Sequence, residues 1–367
     1  MALDLATLPP LDVAGRIDAV RGALDAAGCD TLLVTKLENV RYLTGFSGSA
    51  AFLLVTADRA ILTSDGRYSE QAAQQLAHHG VVAEIEIGRP DRQLAALAGA
   101  AGTRSVGIEA TSATWSLVKR LEDLFEGRLV ATRDVVERLR TVKDPGELAR
   151  VEAACDIADV ALAQVKERLT DRITESEFAA ELEFEMRRRG SSGPAFETIV
   201  ASGPNSALPH ARPTDRVPVE GELVVVDFGA TVDGYRSDMT RTFSIGAPGD
   251  GLGDVIDAVF AAQRAGVHRV GPDATGADVD AACRDVLAAA GYGEVFLHST
   301  GHGVGLEIHE APSIAQGATD NLPPGAIVTV EPGAYLAGRG GVRIEDTVVV
   351  TATGCRSLTK STKDHTL

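Results

Sequence analysis

No stretch of this chain reaches the ~18 consecutive apolar residues that a membrane-spanning helix needs. The opening residues, MALDLATLPPLDVAGR, lack the basic region and apolar run of a secretory leader. Cysteine is scarce: Cys29, Cys155, Cys283 and Cys355 are the only four, with no C-x-x-C spacing among them. That argues against a disulfide or zinc framework and predicts reduced thiols in a cytoplasmic protein. Positive charge is short as well. Lys and Arg number 35 against 52 Asp and Glu, a formal net charge of −17. Such a balance argues against nucleic acid or an anionic membrane as partner. No run of like charge stands out, so the acidity reads as a solvated surface.

What is present is the composition of a soluble globular protein, 44% hydrophobic and 24% charged. A length of 367 residues exceeds one ordinary core and predicts two domains. Residues 1–135 alternate short apolar runs (TLLVT, AFLLVTA, AILTS, VVAEIEI, SVGIEA) with helical patterns near 12–27, 66–78 and 113–125. This predicts a mixed α/β domain. Its turn-rich stretches NVRYLTGFSGSA and SDGRYSEQA read as loops. The functional alternative is that Arg41, Tyr42, Arg67 and Tyr68 serve a subunit contact or the rim of a site.

A second domain is expected over 142–367. Asp144-Pro145-Gly146-Glu147 is a helix start, with an acid at the N-cap, Pro at the first position and Glu at the third; the helix should run to about 168. Thr174 to Glu177 repeats the device, and Gly190 is placed to end the second helix. A Pro-rich loop, a strand pair at 222–245, helices near 252–269 and 277–290, and a Gly-rich β segment follow. GELVVVDFGA and PGAIVTVEPGA align residue for residue around Asp227 and Glu331, and two helices precede each. The domain therefore reads as two related halves, each donating a carboxylate pair.

Those carboxylates sit in apolar β runs: VVVDF, TVEPG and VRIED. An unpaired buried carboxylate is too costly to stay ionised. Asp227, Asp238, Glu331 and Glu345 converging with His302 call for a strong positive partner, and a pair of divalent metals supplies one. Oxygen-rich ligation with a single nitrogen suits Mn²⁺ first, with Co²⁺ or Zn²⁺ also fitting. Asp233-Gly234 is a two-residue hairpin signal. With that turn, Asp227 faces Thr240, and Asp227 and Asp238 become diagonal neighbours roughly 7–8 Å apart. Pro332 holds Glu331 extended. Arg343 and Glu345 are read as sharing a strand face, which places Arg343 to orient the carboxylates. FLHSTGHGVGLEIHEAP carries His298, His302 and His309 amid glycines, which are read as permitting a tight backbone and close approach by metal or substrate.

VDFGATVDGYRSDMTRTF, STGHGVGLEIHE, TVEPGAY and GVRIED, in this order, resemble the pita-bread metallopeptidases of family M24. The resemblance is strongest to the proline-specific branch, prolidase and aminopeptidase P. YLTGFSGS and DGRY resemble its creatinase-type N-terminal domain. The resemblance implies an α+β protein with that N-terminal domain and a pita-bread catalytic domain of duplicated ααββ-like halves. It implies Asp227, Asp238, His302, Glu331 and Glu345 as ligands of two metal ions, and Glu331 as general base. It implies His210 in the substrate pocket, His298 and His309 against substrate and intermediate, and Arg343 beside the last ligand. The expected substrates are short proline-containing peptides cut at an N-terminal Xaa-Pro bond, and the expected assembly is a homodimer. One departure stands out: HEAPSIAQGATDN has Ser313 and no arginine, where some prolidases carry one that holds a dipeptide's carboxylate. The rival readings are a metal-free amidinohydrolase, a lyase on the same fold, and a non-catalytic peptide-binding module.

Overall fold

Runs of aliphatic residues buried on both faces set the first sheet. In the computed structural model, which describes residues 3–367, strands Thr31–Val34, Ala51–Val55 and Ala60–Ser64 are almost wholly buried. They pair antiparallel in sequence. Strands Glu84–Ile87, Val106–Glu109 and Leu129–Thr132 add parallel flanks, giving six strands. Helices Arg16–Ala27, Ser69–His78, Pro90–Ala101 and Trp115–Leu124 accompany the sheet. Leu33, Leu54, Leu94, Leu97 and Val106 form the core.

One expectation here is corrected. NVRYLT is not loop but part of the helix Leu37–Thr44. Val40 and Leu43, three apart, lie on its buried face, and Gly45, left-handed at φ 73°, ends it. Tyr42 is buried under the Arg16 guanidinium, 3.9 Å from the ring centroid, and donates to Leu139 O. Tyr68 bonds Ser49, and Arg67 pairs with Asp65.

The chain divides into a unit of Pro10–Arg140 and a second of Thr141–Leu367, which the segment ending at Pro9 joins. Leu3 N donates to Arg189 O in that second unit. Its helices start as their sequences dictate. Asp144 with Glu147, and Thr174 with Glu177, form reciprocal capping boxes. The helices run over Pro145–Val165 and Glu175–Arg188, the first continued by a tighter turn to Thr170. They pack through Ala154, Phe178 and Leu182 on a sheet of Ile199–Ser202, Leu223–Phe228 and Met239–Ser244. Helices Leu252–Arg269 and Gly276–Ala289 repeat the arrangement. They lie on a five-stranded sheet whose centre is Ile327–Val330 and Asp346–Thr351. Two helices followed by a carboxylate-bearing strand pair thus occur twice, the duplicated ααββ plan.

Candidate metal centre

Each carboxylate pair owes its place to a strand register. Asp233 at φ 46° and Gly234 at φ 76° make the tight turn in which both central residues are left-handed. Asp227 consequently pairs with Thr240, and the register holds from Leu223 to Phe228. Gly229 is required beside it: a Cβ there would overlap the Ser237 carbonyl and meet Ala195 at 2.9 Å. In the second half Val330 pairs with Asp346, so the next step brings Glu331 across from Glu345. Arg343 and Glu345 do not share a strand: one strand ends at Arg343 and the next begins at Asp346. Glu345 N donates instead to Thr240 O at 3.1 Å, joining the two halves.

The glycines around His302 answer to close packing of neighbouring segments. A Cβ at Gly301 would overlap the Thr329 carbonyl, at Gly303 the Ala311 carbonyl, and at Gly305 the Glu310 carboxylate. These close approaches are the tight backbone that glycine permits.

Asp227, Asp238, His302, Glu331 and Arg343 line a cavity of about 580 Å³. His302 Nδ1 is 3.1 Å from Gly303 O. A carbonyl there places the ring proton on Nδ1 and leaves Nε2 as the electron-pair donor. Nε2 lies 3.2 Å from Glu331 Oε1 and 3.6 Å from Asp238 Oδ2. Donor atoms of Asp238, His302 and Glu345 lie within 4.8 Å of one another. Arg343, 3% exposed, spreads its guanidinium over the rest. It donates to Asp227 Oδ2 at 2.6 Å, Thr240 Oγ1 at 3.1 Å, Tyr335 OH at 2.8 Å and Pro209 O at 3.2 Å. Thr240 Oγ1 in turn donates a hydrogen bond to Glu345 Oε2 at 2.7 Å.

The electrostatics show what is missing from this set. Burial, opposed by Arg343 and reinforced by Glu331, raises the Asp227 pKa. Burial and then the neighbouring carboxylates push Asp238 and Glu345 well up. Glu331 is also buried, but its bond to His302 outweighs this and holds it at about 2. The same bond overcomes burial to raise His302. Two buried oxygens, Asp227 Oδ1 and Glu345 Oε1, have no hydrogen-bond partner among the described residues. A buried carboxylate oxygen left unbonded costs about 1–3 kcal/mol or more. A divalent cation removes both the repulsion and the unmet demand, and carboxylates with one imidazole are a donor set that suits it. The residues present fit a metal.

The other expected residues surround the cavity. His210, His298 and His309 line it, as does Ser313. His298 Nε2 lies 2.8 Å from Tyr335 OH, and burial lowers its pKa. His309 stands edge-on to His302 with ring centroids 4.3 Å apart; burial, then His302, lowers its pKa. Thr240, Thr329 and Tyr335 bring hydroxyls that sequence reasoning did not assign. Thr240 was legible as the residue facing Asp227, and Tyr335 closes the TVEPGAY motif.

The model of metallopeptidase family M24 matches residues 149–352. That of the Creatinase/Prolidase N-terminal domain matches 16–142. The peptidase YqhT of Bacillus subtilis (strain 168) is 40% identical over 351 residues, 95% of this chain and 99% of its own. The solved Xaa-Pro dipeptidase from Bacillus anthracis is 39% identical, with TM-score 0.91 over 96% of this chain and 99% of that one. X-Pro aminopeptidase from Thermotoga maritima MSB8 is 35% identical, with TM-score 0.83 over 94% and 99%. This chain, with its creatinase/prolidase N-terminal domain, belongs to metallopeptidase family M24.

Proposed function

We propose that this chain hydrolyses the Xaa-Pro bond at the N-terminus of short peptides, as a prolidase or aminopeptidase P, using two divalent ions. Asp227, Asp238, His302, Glu331 and Glu345 would hold them, with Mn²⁺ the first candidate. The observation that carries the reading is the pair of buried, unbonded oxygens on Asp227 and Glu345, set beside a cavity lined by three further histidines. Solved relatives named as an Xaa-Pro dipeptidase and an X-Pro aminopeptidase support the substrate class. The cavity's volume lies in the range of small-ligand sites.

Bound there, such ions supply polarisation of the peptide carbonyl and acidification of an attacking water. The protein's own groups do the rest. Glu331 is ionised, and its Oε1 accepts from Thr329 Oγ1 at 3.1 Å. Its Oε2 takes no hydrogen bond among the described residues, so Oε2 is the atom that accepts the water's proton. His309 has no ring hydrogen bond among those residues and donates to the developing oxyanion. His298 is fixed by Tyr335 and forms the pocket wall with His210. Proline has a fixed φ and no N–H, so it suits a shaped wall that offers it no acceptor. The reading retains a cytoplasmic homodimer.

The test is hydrolysis of Ala-Pro, Ala-Pro-Ala and Ala-Ala by metal-stripped protein refilled with Mn²⁺, Co²⁺ or Zn²⁺. Cleavage of the proline peptides, lost on stripping and in Glu331→Gln, is expected. Two bound metals with no Xaa-Pro cleavage would defeat the proposal, and so would a Glu331→Gln enzyme of wild-type rate.

A further inference from the structure

One buried acid lies outside every motif discussed so far. Asp280 sits on the helix Gly276–Ala289, and none of it reaches solvent. Its Oδ1 accepts from Thr300 N at 3.1 Å and Thr300 Oγ1 at 2.8 Å. Both of its oxygens also accept from Arg284, one turn further along: Nε at 2.7 Å and Nη2 at 3.2 Å. Arg284 in turn reaches the chain that carries the histidines. It donates to His298 O at 2.5 Å and Phe296 O at 3.4 Å. Its guanidinium lies 4.3 Å over the Phe296 ring, and that ring stands edge-on to His298 at 5.1 Å. Thr300 O accepts from Glu331 N at 2.8 Å.

Resting on the function proposed above, we infer that Asp280, acting through Arg284 and Thr300, is a positioning residue for His298 and Glu331. A lone exposed acid–arginine pair one helical turn apart contributes little. Here the acid is fully buried and offsets its desolvation by collecting four donors. Through Arg284 and Thr300 the acid ties down the backbone at residues 296, 298 and 300. The His298 ring lines the cavity, and the Thr300 carbonyl holds the backbone of Glu331. The helix thus sets where the histidine and glutamate stand without touching substrate. A misplacement of about 1 Å can cost on the order of 100-fold in rate.

Asp280→Asn is the informative variant. The amide keeps the shape but turns one acceptor into a donor, which must face an N–H of Arg284 or Thr300. With metal at saturation, kcat for the Xaa-Pro substrate should fall about 10–100-fold, with KM changed much less. In the His298→Ala background the same substitution should cost clearly less, because part of its effect has already been removed. Equal losses in both backgrounds would overturn the coupling to His298. A second readout needs neither substrate nor metal: the His298 imidazole resonance, assigned by its absence in His298→Ala. It should shift in Asp280→Asn, and an unmoved resonance would overturn the inference. Should Asp280→Asn fail to fold, Arg284→Lys keeps the charge but loses the fork, and is held to the same two outcomes. Failure of wild-type protein to cleave any Xaa-Pro substrate would defeat the function and leave the resonance to decide the positioning.

Discussion

Replacing Thr240 by valine isolates the hydroxyl at the junction of the two halves. The side chain is fully buried and valine has its shape, so no cavity opens. Two interactions disappear: the bond from Arg343 Nε and the bond to Glu345 Oε2. Glu345 Oε1 is already unbonded, so the substitution removes the one hydrogen bond that the described residues give this side chain. The bond from Arg343 involves a charged group, and each lost bond is worth about 1–3 kcal/mol. Metal-free Thr240→Val should therefore be about 2–4 kcal/mol less stable, read as a lower urea midpoint in the presence of chelator. Loss of such a supporting group also typically weakens metal binding about 10–100-fold. Titration calorimetry with Mn²⁺ measures that loss directly. A variant with wild-type Mn²⁺ affinity and a metal-free midpoint displaced by less than about 0.5 kcal/mol would refute the argument that Thr240 couples Arg343 to Glu345.

Mn²⁺ should stabilise the stripped protein by about 2.7 kcal/mol at a hundred times its Kd, seen as a rise in melting temperature. No rise with Mn²⁺, Co²⁺ or Zn²⁺ would contradict the donor set described. Lys143 and Glu310 form an ion pair at 2.9 Å, with side chains 1% and 4% exposed. Lys143→Met should cost about 3–5 kcal/mol, and adding Glu310→Gln should recover much of it, as compared by urea unfolding. Burial raises the Glu109 pKa despite its bonds from Asn39, Thr35 and Lys36. The folded state therefore holds this proton more tightly than the unfolded one. The resulting stability is present below the unfolded carboxylate range and lost as pH rises through the raised value. The urea midpoint of wild type relative to Glu109→Gln should accordingly increase from pH 7 to pH 5; no change would remove burial as the cause.

Asp227, Glu331 and Glu345 were legible because each stands within or at the end of an otherwise apolar run, and Asp233-Gly234 dictated the register that pairs Asp227 with Thr240. The helix starts at Asp144 and Thr174 were legible from their capping residues. Strand Leu129–Thr132 was not: it is an edge strand, mostly half-buried or exposed, so it has no continuous apolar run to announce it. Helix Pro90–Ala101, rich in alanine, shows little contrast between its faces. Leu37–Thr44 was hidden by the glycines and serines that follow it. In the site, Tyr335 and Thr240 act through hydroxyls. The partners of Thr240 lie 103 and 105 residues away in sequence, and no local pattern encodes such a meeting.

The seam between the halves carries a kinetic consequence. Asp227 meets Arg343 across 116 residues, Asp238 O meets Thr347 across 109, and Arg241 meets Asp346 across 105. Closing such long loops costs chain entropy before any contact repays it, and pairings of this kind are slow to form. Either hairpin can form alone, but each carries only half of the charge that attracts an ion. High-affinity metal capture therefore belongs to the last stage of folding, when the two halves close on each other. An ion added during refolding should leave the early phases unchanged and hold the chain in its final state by slowing the reopening of that seam.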